Sequence, residues 1–349
     1  LLQRVYIPLK FPNFDMKTVV ISNMNSGKNL RDKYRVHRMN KFVGNRGQVF
    51  ATGSVDELEF IVSNLHRMYM SEKFWVVLDG GDGLWCQYAG LVNKYWPKEE
   101  QLPATGGIPG GTTNVLTKEC EIKKGKKYMK SILESKEEDL FYQDIDFMKI
   151  KDNNDIESYG FSFGVGAPIT LLEEWNKHKK LKALQVGFIL TRLLASKMLG
   201  VSKIWRQKYY DMFNQKQHIH AYAGTNGSMV EWDADFLGIM AQSIKSIGLP
   251  KSKMFYRAQQ SAGNFHALGT SADLIELVPY FIPMYLGKKV PGMDIDVQTN
   301  YFSVSSEQPI RYQVNGELEH FVENEAKKYL ANQITVEHGL TLKIIKAAA

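Results

Sequence analysis

The sequence predicts an α/β domain with a mostly parallel sheet, followed by a β-rich domain of the sandwich type, and three observations carry that prediction. The chain has 349 residues, more than one small core organises and enough for two ordinary domains. Its first part alternates β-branched apolar runs with segments of helical periodicity. Beyond Leu116 the pattern changes to a lysine-rich stretch and then to short alternating runs separated by Gly and Asn turns.

Taken in order, Thr18 to Ser22 (Thr-Val-Val-Ile-Ser) reads as a buried parallel strand that runs into Asn23-Met24-Asn25-Ser26-Gly27-Lys28. Asp56 to Met70 has apolar residues at helical spacing, with Ser54 and Asp56 as candidate N-caps. Phe74 to Leu78 is a second buried strand, leading into Asp79-Gly80-Gly81-Asp82-Gly83 and a helix from Leu84 to Lys94. The βαβ rhythm places the α/β domain at 1–117 and the β-rich domain at 118–320, with a helical insertion at about 168–215. Short strands are expected at 143–149, 159–163, 219–223, 298–304 and 310–314. The tail reads as a helix from Phe321 to Asn332 and a strand from Ile334 to Ile345, and 321–346 could return to the first domain.

Composition narrows the class. With 44% apolar and 23% charged residues and no low-complexity tract, the chain is globular. Cys86 and Cys120 are the only cysteines and have no metal-site spacing, which points to a reducing compartment. The apolar run Val186 to Val201 carries Arg192 and Lys197 and is too short to span a bilayer. No secretory signal is read at the start, so a cytoplasmic location is expected. The net charge is +7, with lysines gathered at 123–127 and 177–182. Such clusters attract anionic lipid, nucleotide or nucleic acid through the same long-range field, or form a solvated face, and charge does not choose between these.

Three glycine-containing loops carry chemistry: 23–28, 80–83 and Pro109-Gly110-Gly111-Thr112-Thr113-Asn114. Each can aim backbone N–H groups at an anion, since glycine reaches positive φ and lets the chain approach a phosphate closely. A plain turn is the alternative for any one of them. Neither a Walker P-loop nor a Gly-x-Gly-x-x-Gly fingerprint occurs. What remains is an anion-binding domain with one carboxylate, Asp82, in its most glycine-rich loop, and beside phosphates a carboxylate either holds a metal or takes a proton. Either role suits phosphoryl transfer.

Gly80-Gly81-Asp82-Gly83 resembles the Gly-Gly-Asp-Gly signature of the diacylglycerol kinase catalytic domain and its relatives, the sphingosine, ceramide and bacterial lipid kinases and, more distantly, NAD kinases. The loop 23–27 is similar to that family's Asn-Pro-x-Ser-Gly, and 109–114 to its Pro-x-Gly-Thr-x-Asn. Asn315-Gly316-Glu317 resembles a late Asp-Gly-Glu. The resemblance implies ATP and Mg²⁺ in a cleft between two domains, a membrane lipid as acceptor and peripheral contact with an anionic membrane surface, with no nucleic-acid partner; a homodimer is compatible with it. It carries ATP-phosphate binding to Gly80, Gly81 and Gly83, places Gly111 and Thr112 along the same cleft, and counts Asn114 among the cofactor-binding residues. A first nucleotide loop falls on Asn23, Ser26, Gly27 and Lys28, and a place near the base on Thr52. Asp82 takes the role of proton acceptor and Mg²⁺ ligand, and Glu317 a place near the phosphates. Asn315 stands where bacterial members have an Asp thought to act as base, and an amide accepts no proton at neutral pH. Either Asp82 alone is the base, or the chain is a lipid- or nucleotide-binding module with impaired catalysis. NAD kinase is disfavoured because no Asn-Glu pair for ribose is found.

Two further features have ordinary alternatives. Ile282 to Leu286 and 184–199 could meet lipid or be core. His218 and His220 alternate on an expected strand, but with no third ligand near in sequence they are given no role.

Overall fold

The structure, a computed structural model, describes residues 17–69, 73–111, 114–122, 125–177, 213–225, 227–248, 252–322 and 325–346. The chain divides into two compact units, Leu1–Asp144 with Leu342–Ala349, and Ile145–Thr341.

In the first unit β1 (Lys17–Asn23), α1 (Arg35–Val43), β2 (Gly47–Thr52), α2 (Val55–Met68), β3 (Phe74–Gly80), α3 (Asp82–Tyr95) and β4 (Thr105–Pro109) follow one another. The strands pair in parallel in the order β2-β1-β3-β4, as crossover helices require. All seven residues of β3 are buried, because helices cover both faces of such a sheet. Ser54, not Asp56, caps α2: its hydroxyl accepts from Glu57 N at 3.1 Å, and Gly53 N donates back to Glu57 Oε2 at 2.6 Å. α3 starts at Asp82, two residues before the expected Leu84, so Asp82 and Gly83 belong to its first turn.

The first unit extends beyond the boundary expected near Thr117. After α4 (Val115–Glu119), α5 (Gly125–Glu134) buries Tyr128, Met129 and Ile132. The Tyr128 hydroxyl donates to the Ile345 carbonyl at 2.6 Å and accepts from Gly107 N at 3.3 Å, fixing α5 to β4 and to the C-terminal strand segment that pairs with β4 at Ile344. The apolar face of α5, not its lysines, decides which unit it joins.

The second unit is antiparallel throughout its described pairings. Its strands are β5 (Phe141–Asp152), β6 (Glu157–Gly160), β7 (Ser162–Gly166), β8 (Gln217–Thr225), β9 (Ser228–Phe236), β10 (Gly238–Gln242), β11 (Phe265–Thr270), β12 (Ile295–Thr299), β13 (Tyr301–Val314), β14 (Glu319–Val322), β15 (Glu325–Lys328) and β16 (Leu330–Lys346). The chain crosses between the units within β5 and within β16. β13 pairs with β8 and β16 through Tyr301 to Ser305 and with β7 through Tyr312 to Val314, with a register shift between Ser305 and Ile310. Pro309 lies in that shift, where a missing N–H costs least. The core gathers Phe163, Val165, Ile219, Phe236, Phe265, Phe302, Ile334 and Val336.

Two expectations are corrected. The helix expected from Phe321 to Asn332 is a hairpin of β14 and β15 with Val322 opposite Glu325, followed by β16 from Leu330. Over so short a run, apolar spacing fits period 3.6 and period two alike. Of the tail, only the part from Leu342 returns to the first unit. The helical insertion begins as α6 (Ala167–Lys177), while 178–212, with the second lysine cluster and the run 186–201, lies outside the described residues. Among the described residues no helix is long and apolar enough to cross a membrane.

Candidate functional site

Parallel strands bring their carboxyl ends to one edge of the first unit, and the three loops read from the sequence leave β1, β3 and β4 at that edge. Asn23 ends β1 in register with Thr52 of β2, and Gly80 ends β3 in register with Pro109 of β4. The loops are tied to one another through the backbone: Lys28 N donates to Gly110 O at 2.9 Å, Gly110 N to Gly80 O at 2.8 Å, and Met24 N to Thr52 O at 2.8 Å.

The first loop is folded by its own polar side chains. The Asn23 carbonyl accepts from Ser26 Oγ at 2.9 Å and from Asn29 Nδ2 at 2.9 Å, and Asn23 Oδ1 accepts from Asn25 N at 2.9 Å. Asn23 and Ser26 are thus spent on loop shape. Gly27 and Lys28 are exposed, and Lys28 Nζ reaches the Pro109 carbonyl at 3.2 Å, the one cation of this loop held over the neighbouring one. Thr52 sits at the edge as expected, but it is buried and its hydroxyl donates to Ser54 O at 2.8 Å, so it supports the turn rather than facing a ligand.

The glycines serve close approach. Gly80, Gly81, Gly110 and Gly111 do not stand at positive φ, contrary to the expectation from sequence. Instead a Cβ on Gly111 would come within 2.5 Å of Gly81 Cα, and one on Gly110 within 3.1 Å of both Gly80 Cα and Ser26 Oγ. Only glycine lets the loops after β3 and β4 touch backbone to backbone. Asn114 is at positive φ, and its amide brackets Gly111, accepting from Gly111 N at 2.9 Å and donating to Gly111 O at 2.7 Å. Thr112 lies outside the described residues.

Asp82 has a structural engagement that the sequence did not reveal. Its Oδ2 accepts from Val115 N at 2.9 Å and its Oδ1 from Leu116 N at 3.2 Å, so it supplies the cap that α4 lacks locally. Burial pushes its carboxyl above the ordinary value, although these two N–H groups pull the other way. No side chain caps α3 itself; Leu84 N donates to Gly81 O at 3.1 Å, and the N–H groups of Asp82 and Gly83 remain for solvent or an anion.

Sequence reasoning missed the support behind the loops. Asp79, fully buried at the end of β3, accepts from Ser22 Oγ at 2.7 Å and from the Arg35 guanidinium at 2.7 and 2.5 Å. Asn29 Nδ2 donates to the Asp79 carbonyl at 3.1 Å, while its Oδ1 is buried and unpartnered near the place a Gly110 Cβ would take. A carboxylate at the end of an otherwise apolar strand was the available signal. A cavity of about 430 Å³ beside Phe42, Arg46, Lys130 and Leu133 shares no residue with the loops.

Glu317 and Asn315 belong to the second unit. Asn315 and Gly316, at φ 56° and 79°, are the central pair of a tight turn between Val314 and Glu317, a conformation that favours Asn-Gly. Asn315 Oδ1 accepts from Phe161 N at 2.8 Å and from Ser162 N at 3.2 Å, and Nδ2 donates to Tyr159 O at 3.2 Å. Both ends of the amide are used, so the residue in the expected base position is an adhesive between strands. Glu317 is exposed.

These residues fit a phosphate-bearing ligand: α3 is uncapped, Lys28 stands beside the loops, and glycines clear the backbone. They fit a bare cation less well, since Asp79 is consumed by Arg35 and both Asp82 oxygens already accept N–H bonds. A cation there would need oxygens from the ligand itself beside Asp82.

Residues 17–143 match the family model described as the diacylglycerol kinase catalytic domain. The whole chain is similar to solved structures of diacylglycerol kinases and candidate diacylglycerol kinases from Bacillus anthracis strain Sterne. One has 13% identity and a TM-score of 0.56, covering 95% of this chain and 98% of that one. A second has 12% identity and a TM-score of 0.54 with coverage of 95% and 98%, and a third 14% and 0.53 with 95% and 99%. At such identities the likeness is one of fold. No curated protein sequence matches. The likeness to the diacylglycerol kinase catalytic domain thus rests on residues 17–143, and the likeness of fold extends over 95% of the chain.

Proposed function

We propose that the chain is an ATP-dependent kinase that transfers the γ-phosphoryl group to a hydroxyl of diacylglycerol, a sphingoid base or a related lipid. The observation that carries this reading is the meeting of three loops at the carboxyl ends of β1, β3 and β4, beside an uncapped helix start that bears Asp82. The N–H groups of Asp82 and Gly83 at the start of α3 orient the phosphates, the glycines of the neighbouring loop clear the backbone for them, and Lys28 adds a positive charge. Asp82 takes the proton of the acceptor hydroxyl as its oxygen bonds to phosphorus and the bond from phosphorus to the β–γ bridging oxygen breaks, leaving ADP. Its raised proton affinity suits that role. Bound Mg²⁺ would neutralise charge on the β- and γ-phosphates. Glu317, in the second unit, is assigned a place near the phosphates on the resemblance alone.

Lipid acceptors lie in a bilayer, and the second unit offers a surface suited to meeting one. Ile282 and Leu286, 70% and 54% exposed at and just beyond the short helix Phe281–Tyr285, are followed by exposed Lys288 and Lys289. Apolar side chains beside lysines fit the edge of an anionic membrane.

Transfer of labelled γ-phosphate from ATP into a panel of diacylglycerol, sphingosine, ceramide and NAD tests the proposal. Label in one lipid is expected. Label in NAD alone, or in no acceptor while ATP binds, overturns it. The second outcome favours a binding module without turnover, a reading that the occupied amide of Asn315 supports.

A further inference from the structure

We propose that the solvent face of the β8–β9 hairpin is a site for a divalent transition-metal ion, Zn²⁺ or a close analogue, with His218, His220 and Asp233 as ligands. It lies within the second unit, involves none of the loop residues, and does not depend on the kinase reading.

The sequence shows two histidines and no third ligand, and the strand register supplies what was missing. β8 and β9 pair antiparallel from Gln217 opposite Phe236 to Thr225 opposite Ser228. Residues two apart on a strand share a face, so Ile219, Ala221 and Ala223 enter the core while His218 and His220 point away from it. Asp235 stands opposite His218, and Asp233 opposite His220. Four polar side chains from the two strands are thereby gathered on one patch.

Their geometry is that of a ligand set. His218 Nε2 and His220 Nδ1 lie 3.0 and 3.1 Å from the same oxygen, Asp233 Oδ1, and the three ligand atoms fall within 4.8 Å of one another. Ligands at 2.0–2.1 Å from a tetrahedral zinc are separated by about 3.3 Å, so a small opening of these contacts admits the ion. The other nitrogen of His218, Nδ1, is 3.0 Å from Asp235 Oδ1. A carboxylate behind a ligating imidazole is the arrangement that fixes its tautomer and strengthens its donation. The neighbouring strand β13 places Ser305 and Ser303 in register with His220 and Tyr222, so it brings no cation against the patch, and Glu231 adds a further carboxylate opposite Tyr222. Two imidazoles with one carboxylate select Zn²⁺, Cu²⁺, Ni²⁺ or Co²⁺ over Mg²⁺ and Ca²⁺, which prefer oxygen alone. His218 and Asp233 are more than half exposed, which leaves the fourth position to water. A bound ion would clip the two strands across their outer face.

Titration of the untagged, metal-free chain with Co²⁺, read by its visible absorption, followed by displacement with Zn²⁺, tests this. One equivalent of Co²⁺ with a tetrahedral spectrum, lost on adding Zn²⁺, is expected. His220→Gln should abolish that spectrum, and Asp235→Asn should weaken binding by about 10- to 100-fold, the usual cost of removing such a supporting carboxylate. All these side chains are at the surface, so both variants should keep the wild-type circular dichroism and, without metal, the wild-type melting temperature. Absence of a tetrahedral Co²⁺ spectrum in the wild type, or an unchanged one in a folded His220→Gln, would overturn the proposal.

Discussion

In the first unit the carboxylates at the loop ends face an arginine, a serine and backbone amides, as Asp79 does with Arg35 and Ser22 and Asp82 with Val115 and Leu116. In the second unit Asp146 faces His338, Asp296 faces His266, and Asp233 faces His218 and His220. Arginine and peptide donors keep their character over the whole working range of pH, whereas histidine changes charge near neutrality. The contrast teaches that the first unit holds its loops with arginine, hydroxyl and amide donors, while the second sets imidazoles against its carboxylates, with Arg257 also beside Asp296.

Removing part of that arginine, hydroxyl and amide frame should have the largest effect. Asp79→Ala leaves the Arg35 guanidinium without its partner and should cost about 3–5 kcal/mol, the range for breaking a buried pair, read by denaturant unfolding. If the variant loses less than about 1 kcal/mol, the frame is not what holds these loops. Gly111→Ala comes next: its Cβ meets Gly81 Cα at 2.5 Å, so the loops after β3 and β4 must part. A loss of about 1–3 kcal/mol and weaker ATP binding by calorimetry are expected. Asn315→Asp would set a carboxylate oxygen against the Tyr159 carbonyl, so it should cost about 1–3 kcal/mol and restore no activity. A gain in turnover would return this position to the catalytic base.

The smallest effect concerns acid. Burial depresses the affinity of His266 for a proton against the pull of Asp296. Burial alone would raise Asp146 and Asp296, but hydrogen bonds from His338, Thr341 and Gly263 to the one, and from His266 and Tyr256 to the other, hold both below the ordinary carboxylate value. In each case the folded unit binds fewer protons than the unfolded chain. The stability these groups add is therefore present above their unfolded values, 6.5 for His266 and 3.8 for the carboxylates, and is lost as pH falls through the folded ones. Asp82 is shifted upward, so its contribution runs the other way, complete below 3.8 and lost as pH rises through its raised value. On acidification the second unit should unfold before the first, and Asp146→Asn should flatten its acid limb below about pH 4. An unchanged limb would mean that the cluster around Asp146 does not distinguish the units.

The parallel sheet was legible because buried parallel strands are apolar runs, as Val19 to Ile21 and Val76 to Leu78 are, and because small and polar turn residues follow them. The three loops were legible for the same reason, and their meeting at one edge follows from parallel pairing. What sequence could not show was contact between distant residues. The bond from Val115 and Leu116 to Asp82, the pairing of Asp79 with Arg35, and the arrival of Asp233 beside two histidines depend on register and on helix packing. Asn315 was read as a lost base because its string resembles a motif, whereas its positive φ belongs to a local turn and its three amide contacts reach Tyr159, Phe161 and Ser162, which the sequence could not show. The tail from Phe321 was misread because a short amphipathic run satisfies two periods at once.

The central claim is that Asp82 does more than cap α4, and Asp82→Asn compared with the wild type in ATP binding and in phosphoryl transfer to the preferred lipid tests it most directly. The amide keeps one of the two accepting oxygens, so a stability loss of about 1–3 kcal/mol and little change in ATP affinity are expected. Transfer should fall by about 10²-fold or more, the usual contribution of a general base. Transfer within a few-fold of the wild type, in a variant that is folded and saturated with ATP, would leave Asp82 as a cap alone and contradict the account.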